Sequence, residues 1–238
     1  MILDILAFGA HPDDVELGCG GTLAKEIQNH QKVGIVDLTR GELGTRGSAD
    51  LRDIEAAKAA EILGVSVREN LKMRDGFFQN NEENQIKVIQ MIRKYRPKIV
   101  ICNAVSDRHI DHGKGSSLVS DACFLSGLKK IETRLNGVLQ ESFRPQVVYH
   151  YIQWNQAKPD FVVDISKFMD IKVQAVMAYS SQFYSPNDQT PETPIATKNF
   201  LDSLTYRAQD LGRMVGVDFA EGFTVERLLA VNYLEDLK

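Results

Sequence analysis

Ile2-Leu3-Asp4-Ile5-Leu6-Ala7-Phe8-Gly9-Ala10, running directly into His11-Pro12-Asp13-Asp14, is the stretch on which the fold turns. The run is short, mostly apolar and rich in branched residues, the pattern of a strand buried on both faces of a parallel sheet. It breaks at Gly9-Ala10-His11-Pro12. Leu17 to Asn29 then carries apolar residues at near-helical spacing, with Gly18, Gly20 and Gly21 at its start, where another group can approach the backbone closely. The reading is a strand, a loop loaded with polar side chains, then a helix.

The pattern repeats along the chain. Val33 to Leu38 is a second apolar run, followed by a polar, glycine-bearing loop from Thr39 to Gly47. Asp50 to Leu63 reads as a helix, with Ala56, Ala57, Ala59 and Ala60 favouring it and Gly64 stopping it. Asn84 to Tyr95 is helical before Pro97, and Lys98 to Asn103 is another buried strand. This alternation predicts an α/β fold, a Rossmann-like, mostly parallel sheet flanked by helices, in a single domain over 1–238. Further on, Val147 to Ile152 and Phe161 to Asp164 read as strands, while Ile171 to about Phe183 and Asn199 to Val215 read as helices. Ser185 to Thr197, rich in Pro, Ser, Thr and Asn, reads as a surface loop or lid. Ligands in such sheets sit beyond the carboxyl ends of the strands. Ala10 to Glu16, Thr39 to Arg46 and Ser106 to His112 each follow a predicted strand, so three loops are placed to converge on one pocket.

Composition narrows the partners. A chain of 238 residues with 43% hydrophobic and 25% charged residues can bury a full core. Its net charge of −4 offers no broad basic field, so a small molecule rather than nucleic acid is the expected ligand. No apolar run approaches the roughly 20 residues of a membrane span, and the amino terminus is too soon interrupted by charge for a secretory signal. Cys19, Cys102 and Cys123 are far apart and odd in number, which suits a reducing, cytoplasmic setting.

His11, Asp13 and Asp14 crowd the end of the first strand, and two readings compete. In one, His11 and Asp14 bind a metal while Asp13 points elsewhere as a base; in the other, the aspartates cap the following helix. Asp107-Arg108-His109-Ile110-Asp111-His112 favours the metal, because His112 with His11 and Asp14 makes two histidines and one carboxylate with a coordination position left open. Asp13 and His109 then remain for a base and an oxyanion donor, as metal-assisted hydrolysis requires. Asp111 reads as a carboxylate holding a histidine tautomer. His30 and His150 have no such neighbours. Arg40, Arg46, Arg52, Arg108 and Arg144 lie in or near the loop mouths, where a guanidinium can grip a carboxylate.

Ala10-His11-Pro12-Asp13-Asp14-Val15-Glu16 and His109-Ile110-Asp111-His112 resemble the two hallmark motifs of the LmbE-like, or PIG-L-type, zinc N-deacetylases. Asp37 to Glu42, Ser181-Gln182-Phe183 and Val217 to Phe223 extend the likeness nearly end to end, closest to the branch acting in bacillithiol biosynthesis. The resemblance implies one zinc per chain, or another divalent metal such as Fe2+, on His11, Asp14 and His112. It further implies Asp13 as general base, and His109 as the group that stabilises the oxyanion or protonates the leaving amine. Asp111 would orient and charge His109, and Arg52, Arg108 and Arg144 would line the pocket. The implied substrate is N-acetylglucosaminyl malate and the implied assembly a homo-oligomer such as a hexamer. Ile110 stands where the family usually has proline, which puts loop rigidity in question but no reacting side chain. Three rival readings are another N-acetyl sugar conjugate as substrate, a non-haem iron(II) oxygenase using the same two-histidine, one-carboxylate set, and a non-catalytic binding module with the aspartates as caps.

Overall fold

A computed structural model describes residues 1–186 and 189–236. In chain order the main elements begin with β1 (Ile5–Gly9), α1 (Asp14–Gln28), β2 (Val33–Thr39), α2 (Ala49–Leu63), β3 (Val67–Met73), α3 (Glu82–Tyr95), β4 (Ile99–Cys102) and α4 (Ile110–Ser126). They continue with the small hairpin β5 (Arg134–Leu135) and β6 (Val138–Leu139), then β7 (Val147–Tyr151), β8 (Phe161–Asp164), α5 (Met169–Met177), α6 (Lys198–Val215) and β9 (Ala220–Val225). The main sheet runs β3-β2-β1-β4-β7-β9-β8, with β3, β2, β1, β4 and β7 parallel and β9 antiparallel to both of its neighbours. The α/β layering therefore stands as expected. Among the described residues no helix is long and apolar enough to cross a membrane.

β1 is buried along its whole length, and its side chains alternate between two cores as the period of a strand dictates. Leu6 and Phe8 pack with Val88, Ile92, Leu118 and Val119 under α3 and α4. Ile5 and Ala7 pack on the opposite face with Val15, Leu23 and Ala175 from α1 and α5. From β1 the chain turns toward β2, and after β3 it crosses back to β4 on the other side of β1. The crevice beyond β1 and β4 is thus the topological switch point of the sheet, where such folds bind ligands.

Several elements depart from the sequence reading. β3 is polar (VRENLKM) and so carries no apolar-run signal. α4 is weakened as a pattern by Gly113, Gly115, Ser116 and Ser117, and at position 115 a Cβ would press on its neighbours, 3.2 Å from Asn103 Oδ1 and 3.3 Å from Leu38 Cδ1. Ile110 occupies the first position of α4, where proline is favoured but not required. α5 ends at Met177 rather than near Phe183, because Ser181 N and Oγ turn to Glu55 at 2.7 and 2.8 Å. Within the expected lid, Pro194–Ala196 forms a 3-10 turn, and 187 and 188 lie outside the described residues.

α1 is broken. Cys19 leaves helical geometry at φ −146°, and the freed backbone groups are met by residues from far along the chain. Glu221 on β9 accepts from Gly21 N at 3.0 Å and Thr22 N at 2.7 Å, while Lys172 on α5 donates to the Leu17 carbonyl at 2.7 Å and to Glu221 at 2.5 Å. The kinked helix lies so near the sheet that a Cβ on Gly18 would fall 2.2 Å from the Tyr151 ring.

Candidate metal centre and active site

The loop after β1 and the start of α4 bring His11, Asp14 and His112 to one point. Asp14 Oδ2 lies 3.5 Å from His11 Nδ1, and Asp14 Oδ1 lies 3.1 Å from His112 Nε2. The outer nitrogen of each imidazole meets a carboxylate: His11 Nε2 is 3.0 Å from Asp75 and 3.4 Å from Asp111, and His112 Nδ1 is 2.5 Å from Asp107. Asn103 Nδ2 and Gln153 Nε2 each donate to Asp14 at 3.0 Å, fixing its plane. Burial opposes charge on both histidines, but their carboxylates outweigh it, holding His11 well above its ordinary range and His112 up at about 9. Burial likewise pushes against ionised Asp14, yet His112 and His11 hold it well below the usual carboxylate range.

This donor set fits a divalent cation. Two inner imidazole nitrogens flank one carboxylate, and the outer nitrogens are held by acids, the arrangement by which proteins orient metal-bound histidines. His109 adds a third imidazole: His11, His109 and His112 present ligand atoms all within 4.8 Å of one another. His11, Asp75 and Asp111 likewise present ligand atoms within 4.8 Å of one another, but on the outer side of the His11 ring.

Asp13 occupies the N-cap position of α1 without making a side-chain cap bond, so helix capping does not account for it. Its φ of 117° is a conformation L-residues avoid, of the kind that clusters at working sites. Its Oδ2 accepts from Arg52 Nη1 at 2.8 Å, and Arg52 also donates to the Pro12 carbonyl and, at 2.9 Å, to Gln182 Oε1. Burial raises the Asp13 carboxyl and Arg52 pulls it back, leaving it at about 6.

Two expectations need correction. The Asp111 carboxylate does not face His109; it accepts from Gly76 N at 2.7 Å and Lys114 Nζ at 3.1 Å and lies beside His11. Its backbone N–H instead donates to His109 Nδ1 at 3.3 Å. Arg144 is not in the pocket: it donates to the Phe124 carbonyl at 2.7 Å and lies over that ring, near the far end of α4 from His112. Twelve helical residues separate those ends, about 18 Å at 1.5 Å per residue. Arg52 does reach the site, but its buried guanidinium is engaged by Asp13 and Gln182. Arg40 pairs with Asp50 and Asp53, and Arg46 lies beside Gln182. Arg108 lines the cavity. His150 sits in β7 with Nδ1 3.0 Å from the Asn103 carbonyl, outside the ligand clusters among the described residues.

The site opens into a cavity of about 490 Å³ whose walls include Arg108, Ile195, Trp154, Phe200, Leu204 and Arg207. Asp75, Asn103, Gln153 and Arg207 carry no motif, and the sequence reading passed over them. Asp107 stood in the quoted cluster without a role.

A doubly wound sheet with a buried, metal-competent histidine and aspartate cluster at its switch point defines an α/β enzyme of the hydrolytic kind. The family model described as PIG-L, GlcNAc-PI de-N-acetylase, matches residues 6–123. The diacetylchitobiose deacetylase of Thermococcus kodakarensis is 32% identical over 190 residues, 75% of this chain and 70% of that protein. The conserved protein TT1542 from Thermus thermophilus superposes with a TM-score of 0.86 at 36% identity, covering 98% of this chain and 99% of that one. The N,N'-diacetylchitobiose deacetylase from Pyrococcus horikoshii follows at a TM-score of 0.78 and 26% identity, covering 93% of this chain and 82% of that one. The chain belongs to the PIG-L deacetylase family, which sets aside the reading of a non-catalytic module.

Proposed function

We propose that this enzyme is a zinc-dependent N-deacetylase that hydrolyses the acetamide of an N-acetylglucosamine conjugate, with N-acetylglucosaminyl malate as its substrate. The observation that carries the reading is the placement of Asp13, a second buried carboxylate, beside the His11, Asp14 and His112 donor set at the mouth of one cavity. Relatives named as diacetylchitobiose deacetylases support a sugar amide as the substrate class.

His11, Asp14 and His112 would hold the zinc, which when bound supplies Lewis acidity toward the amide oxygen and the attacking water. Asp13 takes the proton of that water. Arg52 anchors its Oδ2, which leaves Oδ1 for the transfer, and a carboxyl near 6 is ionised at neutral pH yet basic enough to accept. Asp111 N on His109 Nδ1 leaves the ring proton on Nε2, so a neutral His109 donates from that nitrogen to the developing oxyanion. Burial first, then His11 and His112, lower the pKa of His109 and favour this neutral form. The proton held by Asp13 then passes to the departing amine.

The setting is inferred to be cytoplasmic, supported by three buried, unpaired cysteines. Self-association into a homo-oligomer such as a hexamer is supported by Leu228, Leu229, Val231, Tyr233 and Leu234, all exposed after β9, apolar surface that further copies would cover.

Acetate release from N-acetylglucosaminyl malate and from N-acetylglucosamine, compared on protein of counted metal content, tests the reading. Strong preference for the malate conjugate with about one zinc per chain is the expected result. Release from neither by zinc-loaded protein would overturn the substrate, and equal release from both would move it to another sugar conjugate.

A further inference from the structure

Behind the reacting centre the cavity runs between α6 and the connection from β7 to β8. Trp154 stands there, with the Arg108 guanidinium 4.4 Å from its ring centroid and the Phe200 ring stacked on it at 5.5 Å. Arg207, on the inner side of α6, donates Nη2–H to the Gln153 carbonyl and lines the same cavity. Gln153 is the residue whose side chain holds Asp14, so Arg207 is fastened one residue away from the donor set.

Each carboxylate lining this cavity is directly engaged by a partner other than Arg108 or Arg207. Asp13 is engaged by Arg52, Asp14 by His112, Asp75 by His11, Asp107 by His112 and Asn155, and Glu221 by Lys172. Among the described residues, neither Arg108 nor Arg207 is in an ion pair. Arg207 is half-buried, and a single neutral carbonyl is a poor return for the hydration a guanidinium gives up. Burial lowers its pKa, with the charge of Asp107 opposing. A surface arginine needs no explanation, but a half-buried one facing a cavity together with a second unpaired guanidinium favours an anionic ligand.

We propose that Arg207, with Arg108 at the rim, forms an anion seat for a carboxylate carried by the part of the substrate distal to the acetamide. The inference rests on the deacetylase reading above and gives it a specificity device on α6, in place of the expected Arg52 and Arg144. Carboxylate and phosphate oxygens share the required chemistry; the carboxylate is the choice that agrees with a malate aglycone.

The test compares zinc-loaded, full-length wild type with Arg207→Gln and Arg207→Lys. The substrates are N-acetylglucosaminyl malate, N-acetylglucosamine 1-phosphate and neutral methyl N-acetylglucosaminide. Arg207→Gln is expected to cut the preference for the malate conjugate over the neutral glycoside by about 10- to 100-fold, mainly through KM, the scale of one charge-assisted hydrogen bond. Arg207→Lys should recover part of that preference. Calorimetry with free malate gives a second readout, with binding expected to wild type and weakened in Arg207→Gln. Equal losses on all three substrates with a lower melting temperature would mean that Arg207 only props the Gln153 carbonyl, and would overturn the proposal. Unchanged preference would do the same, and a loss confined to the phosphate would overturn the carboxylate. If wild type releases acetate from none of the three, the substrate reading above fails, while malate binding still decides the anion seat.

Discussion

Asp107 Oδ2 lies 2.5 Å from His112 Nδ1, and the other oxygen of the same carboxylate accepts from Asn155 N at 2.7 Å. One acid therefore aims an imidazole of the donor set and ties down the loop that carries Trp154. Removing such an outer partner typically weakens metal binding 10- to 100-fold. Asp107→Ala is expected to lose zinc affinity by about that factor, read by competition with a chelator, and Asp107→Asn to lose less.

Asp13 is expected to separate chemistry from metal binding. Asp13→Asn keeps a side chain able to bond Arg52 and leaves His11, Asp14 and His112 untouched. Its kcat should fall by about 10²- to 10⁴-fold, the usual contribution of a general base, with the zinc content of the purified protein unchanged. Loss of zinc in this variant would place Asp13 among the ligands.

The Lys172 and Glu221 pair that supports the break in α1 is buried on both sides. Lys172→Met leaves a buried carboxylate without its cation, and Glu221→Gln leaves a buried ammonium without its anion. Each single change is expected to cost about 3–5 kcal/mol, because an uncompensated buried charge is the costly species. The double variant should be destabilised by less than the sum, which urea unfolding of all four proteins measures.

Glu226 supplies a pH dependence remote from the donor set. His150 Nε2 stands 3.0 Å from its carboxylate, and that hydrogen bond is the main reason its carboxyl lies below the ordinary value of 4.5. A carboxyl lowered in the folded state stabilises the fold above its unfolded value and loses that contribution as pH falls through the folded value. The group is partly exposed, so the effect is small. Glu226→Gln is expected to be less stable than wild type by under about 1 kcal/mol at pH 7, and the difference should shrink progressively as pH falls below 4.5 in matched urea titrations.

The parts of this molecule that were legible in its sequence are those where function is written locally. His11, Asp13 and Asp14 follow one apolar run and His112 follows shortly after another, so strand ends alone place them together. Asp75, Asn103, Gln153 and Arg207 come from four different parts of the fold, and only its tertiary packing brings them around the same site. Spacing also misled over direction. Adjacent residues of a helix point about 100° apart, so Asp111 at the start of α4 turns toward Gly76 while His112 turns toward Asp14. Arg144 was misplaced because nothing in its local sequence tells which end of α4 it will meet. β3 was invisible for the opposite reason: its polar side chains are used in ion pairs, Arg68 with Asp37 and Glu16 among them, which erase the apolar pattern of a parallel strand.

The break in α1 also sets an order of completion. The helix that begins with Asp14 relies, at its midpoint, on an ammonium at position 172 and a carboxylate at position 221. During synthesis residues 1–16, with three of the reacting groups, leave the ribosome long before their support exists. A nascent chain ending short of β9 already contains every side chain of the donor set and still lacks what seats the helix beneath it. Catalytic competence therefore waits on the arrival of position 221, and fragments that bear both motifs but stop short of β9 should be inert.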